Sequence, residues 1–553
     1  HTPSWRVTGA GVPVKMMERT QATDISNVKL PELAAWNLYF LAKLGFHFTG
    51  RLDFLPLENL ALALFLVLPM SAPLLRIAKH SIGIVAAVYL LQLESNLPPI
   101  SRLFAQLDQL LTFDAGYLFE LTLRLIPQDT LLPLAVGLAI YLFVSRYLRI
   151  SSFVLLTLLG ITIANITPTE VDIPRPVAAT SQMPRSAIPE STSLSGDASL
   201  NAYLENFFSK EQQRRVALPA VDPEQAAFDI IFLSVCSLGW DDLEAVNQQR
   251  HPLLQRFDMV FEQFNSATSY SGPAVLRLSH ASCGQLPHSD LYQESPAECQ
   301  LFSQLSERGY EHALLMNHDG RFDSFLERTR RYGHIQSELL PHTGAPQSQK
   351  AFNGDPIYRD RDVLTQWWQQ RQLSGSERTM ALYNTISLHD GNRLLSDSSL
   401  RDEASYRRRL NILFEDIGAF IDQLEKSGRN VVVVMIPEHG AALRGDAMQI
   451  SGMREIPSPA LTRVPTAVKL IGPDTRREGD TVYTDKPVSF LALASILARV
   501  FDEQLFSQAS FVPGDWLSGM PETERVSQNE GSTVIQVKGQ TYLSLDEKTW
   551  SEY

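Results

Sequence analysis

The residues that could do chemistry in this sequence stand at the ends of apolar runs. FDIIFLSV (228–235) ends at Cys236, and NVVVVMIP (430–437) ends just before Glu438 and His439. A thiolate, a carboxylate and an imidazole together make a reasonable ligand set for zinc. Adjacent charged residues after a strand are more often a solvated loop. What lifts Glu438-His439 above that reading is its place after a buried run, matched by Cys236 after another. A third piece is TSYSGPAVLRL (268–278), where Ser271 and Gly272 precede Pro273 and an apolar helical run. Proline favours the first turn of a helix, which puts Ser271 at a helix N-terminus, where backbone N–H groups attract an anion. A serine there is also a common helix N-cap, and the pattern leaves both uses open. His318 in NHDG (317–320) and His389 in LHDGN (388–392) each begin a His-Asp-Gly step after an apolar run. A turn is the default for both, and His318 stands as a further candidate substrate contact. No GxSxG, HExxH or Walker loop occurs, and Gly9 with Gly11 does not complete a dinucleotide fingerprint.

These side chains need a scaffold that brings them together. From about residue 218, short apolar runs at 228–235, 312–317, 380–387, 430–437 and 466–472 alternate with helical patterns. The helical patterns fall at 241–263, 273–282, 298–308, 322–333, 361–371, 403–427 and 487–502. Fully apolar strands separated by helices predict an α/β domain with a mostly parallel sheet covered on both faces. In such sheets the ligand crevice lies at the carboxyl ends of the strands. Parallel strands would therefore deliver Cys236, Glu438 and His439 to one edge.

The first third of the chain has a different character. Mean hydropathy over the whole chain is −0.08, but the apolar residues crowd before residue 168, into stretches near 33–50, 57–75, 80–95, 129–146 and 150–167. Their lengths, about 16–19 residues, are near the roughly 20 that cross a bilayer, and five in succession predict an N-terminal α-helical membrane bundle of five transmembrane helices. Lys15, Arg19 and Lys29 precede the first stretch, Arg76, Lys79 and His80 lie between the second and third, and Arg146 and Arg149 between the fourth and fifth. The positive-inside rule then predicts a cytoplasmic N-terminus, with everything after the fifth span outside. Residues 1–30 contain no apolar run of signal-peptide type. The segment 100–126 reads as one or two amphipathic helices on the outer membrane surface, or as packing helices of the bundle. Residues 168–217 are rich in Pro, Ser, Thr and Ala and read as a linker with a short helix at 199–214. The expected organisation is a cytoplasmic segment 1–32, a membrane domain 33–167, a periplasmic linker 168–217, a catalytic domain 218–520 and a tail 521–553.

Of three cysteines, Cys283 and Cys299 sit in a polar stretch whose spacing suits a disulfide in an oxidising compartment, with two free thiols as the alternative. That leaves Cys236 for another role. The net charge of −13 and the lack of a basic stripe argue against nucleic acid as a partner.

At these residues the chain resembles the bacterial cellulose phosphoethanolamine transferases, which belong to the alkaline phosphatase/sulfatase-like superfamily. The resemblance runs from WNLYFL (36–41) through the five apolar stretches to the tail. It is densest in NSATSYSGPA (265–274), SLHDGN (387–392), PEHGAAL (437–443) and SGMREIPSP (451–459), and weakest in the linker and the last thirty residues. It implies an alkaline phosphatase-like outer domain in a multi-pass protein of the bacterial inner membrane. It further implies that Ser271 is a nucleophile carrying phosphoethanolamine covalently. Cys236, Glu438 and His439 would hold Zn2+ with Ser271 as fourth ligand, and Tyr270, His389 and Arg454 would line the substrate site. The family's disulfide falls on Cys283 and Cys299. The implied donor is phosphatidylethanolamine and the implied acceptor a glucose hydroxyl of cellulose, expected at O6. The inner-membrane cellulose synthase complex is the expected partner. The related lipid A phosphoethanolamine transferases carry a threonine nucleophile and a more acidic metal set, whereas serine and cysteine stand here. The alternatives are a sibling transferase or hydrolase acting on another envelope glycan or on lipid A, and a secretion-complex scaffold with a vestigial site.

Overall fold

A computed structural model describes residues 33–49, 52–94, 112–124, 128–166 and 196–553. The expected cytoplasmic segment 1–32 and most of the expected linker lie outside the described residues. The chain divides into two compact units, one made of His1–Arg102 and Leu132–Gln182, the other of Leu103–Leu131 and Met183–Tyr553.

The five apolar stretches form helices at Trp36–Phe48, Pro56–Val67, Pro73–Glu94, Gln128–Val144 and Ile150–Ile166. Among the described residues only Pro73–Glu94, with 22 residues, is long and apolar enough to cross a bilayer unaided. The other four have 12 to 17 residues, which at the helical rise is about 18–26 Å. Each of the five stretches contains a helix, but five full spans are not shown, since one described helix alone has the length and composition to cross. Pro69 and Pro73 interrupt the apolar run 57–75, because proline cannot continue a helix but can begin one. The third helix therefore starts at Pro73 and takes in Arg76, Lys79 and His80, which the sequence assigned to a loop. Helix is tolerated there because Lys79 Nζ donates to the carbonyls of Leu66 (2.8 Å) and Leu68 (3.0 Å). Lys43, a charge inside the first apolar stretch, is buried in an ion pair with Glu94 and donates to Asn59 Oδ1 at 2.6 Å. Around these groups Phe40, Leu62, Leu66, Leu90 and Leu158 form the helical core.

The second unit is built on a seven-stranded sheet. Its strands are β1 (Asp229–Val235), β2 (Met259–Asn265), β3 (Tyr310–Met316), β4 (Arg378–Thr385), β5 (Val431–Pro437), β6 (Arg463–Ile471) and β7 (Val482–Thr484), in the spatial order β7-β2-β6-β5-β1-β4-β3. Every pairing is parallel except those of β6, which runs opposite to both β2 and β5. β1 and β5 are buried on both faces, as their uninterrupted apolar runs require. Ile230 and Phe232 of β1 point to one layer, where they meet Val275 and Leu278 of helix Ser271–Ser279 and residues of helix Phe490–Asp502. Ile231 and Leu233 point to the other, against helices Asp360–Leu373 and Asp402–Glu425.

Three expectations are corrected. The helix predicted over 241–263 is a short helix at Trp240–Ala245, a 3-10 turn at Pro252–Arg256 and then β2. Pro252 stops the helix, and Val260, Phe261 and Phe264 gain full burial as a strand between β6 and β7. The tail 521–553 is not an appendage. It forms a four-stranded antiparallel sheet whose Val526 and Ile535 pack on Leu200 and Phe207 of helix Asp197–Glu211, the helix expected at 199–214. The described part of segment 100–126 belongs to the second unit rather than to the N-terminal helical unit. Tyr117 of helix Ala115–Arg124 packs there with Phe352 and Ile357.

Candidate active site

The reversed direction of β6 decides where the site forms. The parallel strands β1, β2, β4 and β5 leave the sheet at its carboxyl edge, and β6 enters from that same edge. Cys236 follows β1, Ser271 follows β2, His389 follows β4, and Glu438 with His439 follows β5. The loop from His439 to β6 returns at that edge and carries Arg454. Five chain segments thus converge.

The thiol of Cys236, the carboxylate of Glu438 and the imidazole of His439 are buried, with one ligand atom from each inside a span of 4.8 Å. Cys236 Sγ is 3.7 Å from His439 Nε2. Ser271 Oγ lies 3.4 Å from Cys236 Sγ and 3.4 Å from His439 Nε2. The N-cap of helix Ser271–Ser279 is Tyr270, without a side-chain cap bond, so Ser271 occupies the first turn with its hydroxyl aimed at the cluster. Ser237, Ala267 and Ala442 hold left-handed backbone beside the site, with φ of 62°, 59° and 56°, the kind of local strain that accompanies functional turns.

Each group is oriented from behind. His439 Nδ1 donates to the Gly440 carbonyl at 2.8 Å, which leaves Nε2 as the bare nitrogen facing the cluster. Glu438 Oε1 accepts from Ser234 Oγ at 2.6 Å and from Asn384 Nδ2, whereas its buried Oε2 has no protein partner. Asp242 accepts N–H bonds from Gly239, Ala441 and Leu443, pinning the loop after His439 to the turn after Cys236. Burial, then the Glu438 carboxylate, pushes the Cys236 thiol up to about 11, and burial also raises Glu438. His439 is held well below the usual histidine range by burial and by Arg454. Two acids packed this closely, one with a buried oxygen lacking any donor, suit a cation between them. The ligand types and the neutral imidazole fit zinc.

Arg454 bridges two histidines, with Nη1 at 3.3 Å from His439 Nε2 and Nη2 at 3.2 Å from His389 Nε2. Its guanidinium also stands 6.0 Å over the ring of Tyr270, whose hydroxyl donates to Glu455 at 2.7 Å. His389 is likewise a neutral imidazole, held down to about 3 by burial first and by Arg454. His318 is not brought into this group. It is buried behind Glu438, where Nε2 donates to Asn384 Oδ1 at 2.8 Å and Nδ1 accepts from Gly320 N–H, so it reaches the cluster only through Asn384. Cys283 and Cys299 are joined by a disulfide.

Sequence reasoning missed Asn384 and Ser234, which hold Glu438, and Asp242. Each is a polar residue inside or just after an apolar run, which is the one signal that could have drawn attention to it. Asn529 was missed because it lies in the expected tail. It donates to Ser269 Oγ (2.7 Å) and to the carbonyls of Arg454 and Glu455, tying the loop before Ser271 to the loop that carries Arg454.

Models of the N-terminal and C-terminal domains of the cellulose biosynthesis protein BcsG match residues 36–163 and 184–550. The cellulose biosynthesis protein BcsG of Escherichia coli K12 is 38% identical over 550 residues, covering 94% of this chain and 96% of the relative. That of Salmonella typhimurium is 37% identical over 540 residues, with coverage of 94% and 96%. Similar solved structures include an alkaline phosphatase superfamily protein from Vibrio parahaemolyticus, with a TM-score of 0.45 at 12% identity, covering 64% of this chain and 87% of that one. The C-terminal periplasmic domain of EptC from Escherichia coli gives a TM-score of 0.40 at 14% identity, covering 57% and 94%. With two family models spanning most of its length and relatives aligned almost end to end, the chain belongs to the BcsG family of cellulose biosynthesis proteins.

Proposed function

We propose that this chain is an alkaline phosphatase-like, zinc-dependent transferase of the bacterial inner membrane that moves phosphoethanolamine from phosphatidylethanolamine to glucose hydroxyls of nascent cellulose, at O6. The observation that carries the reading is the placement of Ser271 Oγ within 3.4 Å of both Cys236 Sγ and His439 Nε2, in the first turn of a helix. The family's role in cellulose biosynthesis supports the acceptor.

Cys236, Glu438 and His439, with Ser271, would hold zinc, which when bound lowers the pKa of a nearby hydroxyl and offsets charge on phosphoryl oxygens. The chain's own residues do the rest. Ser271 Oγ attacks the donor phosphorus and the bond to the diacylglycerol oxygen breaks, so that diacylglycerol leaves with a proton. A glucose hydroxyl then attacks the same phosphorus, the bond to Ser271 breaks, and Oγ regains a proton. The N-terminus of helix Ser271–Ser279 and the Arg454 guanidinium favour the phosphoryl oxygens in both steps. His389, whose unprotonated Nε2 accepts from Arg454 Nη2 at 3.2 Å, is assigned the proton transfer, either protonating the leaving group or activating the acceptor hydroxyl. Two in-line displacements give net retention at phosphorus. Anchoring in the membrane, with the N-terminus cytoplasmic and the catalytic domain periplasmic, would keep the site near its lipid donor and, beside the cellulose synthase complex, near the emerging glucan.

Solid-state phosphorus NMR of cellulose made by cells carrying this protein tests the reading. Phosphoethanolamine signal is expected with the parent chain and none with Ser271→Ala or Cys236→Ala. Undiminished signal from both variants would leave a scaffold as the better account.

A further inference from the structure

We propose that Tyr117 and Arg124 are positioning residues for His389, acting through the carboxylate of Asp390. They come from helix Ala115–Arg124, which the sequence places between the apolar helices Pro73–Glu94 and Gln128–Val144. The role rests on the reading of His389 given above.

Arg124 grips Asp390 with both terminal nitrogens, Nη1 to Oδ2 at 2.7 Å and Nη2 to Oδ1 at 3.3 Å, and the Tyr117 hydroxyl donates to Oδ2 at 2.8 Å. The carbonyl of the same aspartate accepts from His389 Nδ1 at 2.8 Å, and that bond fixes which ring nitrogen is bare and where it points. The turn is confined further. Gly391 has φ of +78°, and a Cβ there would stand 2.6 Å from the Tyr117 ring and 2.7 Å from Phe352 Cβ. Phe352 stacks on His389 with ring centroids 4.5 Å apart, and its carbonyl accepts from Asp114 N–H at 3.0 Å.

The ion pair also touches the other half of the site. A Cβ on Gly452, two residues before Arg454, would stand 3.1 Å from Arg124 Nη1 and 3.2 Å from Asp390 Oδ2. The Arg124–Asp390 pair thus lies between the turn that presents His389 and the loop that presents Arg454, whose contact is 3.2 Å. Arg124 is held in turn by Glu120 and Asp402. Residues 266 positions apart in the chain are joined here for geometry at the site.

The test uses the full chain, zinc-loaded, in phosphatidylethanolamine nanodiscs with a soluble cello-oligosaccharide as acceptor. Arg124→Met is expected to lower kcat about a hundredfold, the scale of an ångström misplacement, with the KM for the oligosaccharide and the zinc content held. Tyr117→Phe, which removes only the hydroxyl, should lower kcat about tenfold, and Arg124→Lys should recover part of the loss. Independently of turnover, the imidazole nitrogen resonances of His389, assigned by their loss in His389→Gln, should show a single Nδ1–H tautomer in the parent and a mixture in Arg124→Met. Parental kcat and an unchanged tautomer in Arg124→Met and Tyr117→Phe would overturn the positioning role. A parent chain that transfers nothing while the tautomer still responds to Arg124→Met would sustain the positioning role and sink the proposed reaction.

Discussion

Glu438 shows how a single side chain can report a missing charge. One carboxylate oxygen is satisfied by Ser234 and Asn384, and the other is buried without a donor. Leaving such an oxygen unpaired is costly unless a cation completes the site. Glu438→Gln preserves size and keeps one acceptor oxygen but removes the negative charge. Purified Glu438→Gln protein, dialysed against micromolar zinc, is expected to retain less than about a tenth of the metal per chain that the parent retains, the scale of losing one charged ligand. Full retention by elemental analysis would remove Glu438 from the ligand set. Asp360 makes a different statement, about pH. It is buried at the start of helix Asp360–Leu373, accepting from Tyr383, Ser387 and Asn317, and burial pushes its carboxyl up to about 6. The folded value lies above the unfolded one of about 3.9, so this group's stabilising contribution is complete below about pH 4 and is lost as pH rises through about 6. Asp360→Asn does not titrate. The thermal midpoint of the parent, measured against that of Asp360→Asn, should therefore fall between about pH 4 and pH 6 and level off above. A difference that stays constant across that window would show that Asp360 keeps its ordinary pKa.

Among the elements, legibility followed burial. β1, β3, β4, β5 and β6 were readable because buried strands must be apolar on both faces, and their expected ranges differ from the observed ones by only a few residues. That Cys236, Glu438 and His439 would meet at one edge followed from the same pattern, whereas the arrival of Ser271 and His389 there did not. β2 was not readable, because the break at Pro252 was passed over in the 241–263 pattern and MVFEQFN, with Glu262 and Gln263 within it, becomes a strand by pairing with β6 and β7. The direction of β6 was also hidden, since antiparallel pairing is decided by the connection before it and not by its own residues. The terminal sheet was missed for a third reason. Its strands are short and polar, and they gain burial from helix Asp197–Glu211, more than three hundred residues away. That sheet delivers Asn529 to the loop before Ser271. Asn529→Ala should leave zinc binding intact and cost about 1–3 kcal/mol of stability, because Thr268 Oγ1 and the Ser269 N–H, which donate to Asn529 Oδ1, lose their acceptor. It should also lower transfer about tenfold, because Ser271 sits two residues from Ser269. Chemical denaturation and turnover of the same sample check both, and unchanged turnover would mean that the terminal sheet supports the fold but not the nucleophile.

At the level of the whole chain, the apolar first third invites a simple description as an anchor, and that description makes a prediction that the structure opposes. If residues 1–167 only tether the catalytic domain, any single-span anchor fused before residue 168 should restore modification of cellulose in cells. Helix Ala115–Arg124 lies inside those residues, yet its Tyr117 and Arg124 hold the turn that carries His389. A foreign anchor supplies proximity to lipid and glucan, the effective-concentration part of the gain, but leaves Asp390 without its two partners and the His389 tautomer without its constraint. The anchor-swapped chain is therefore expected to reach the membrane, keep its disulfide and zinc, and still give cellulose with about a tenth or less of the parental phosphorus. Including residues 103–131 ahead of residue 168 in the same fusion should recover a large share of it. Phosphorus NMR on cellulose from the three strains, at matched protein levels, separates the cases. Full modification by the simple anchor fusion would reduce the N-terminal third to a tether and take Arg124 out of the site.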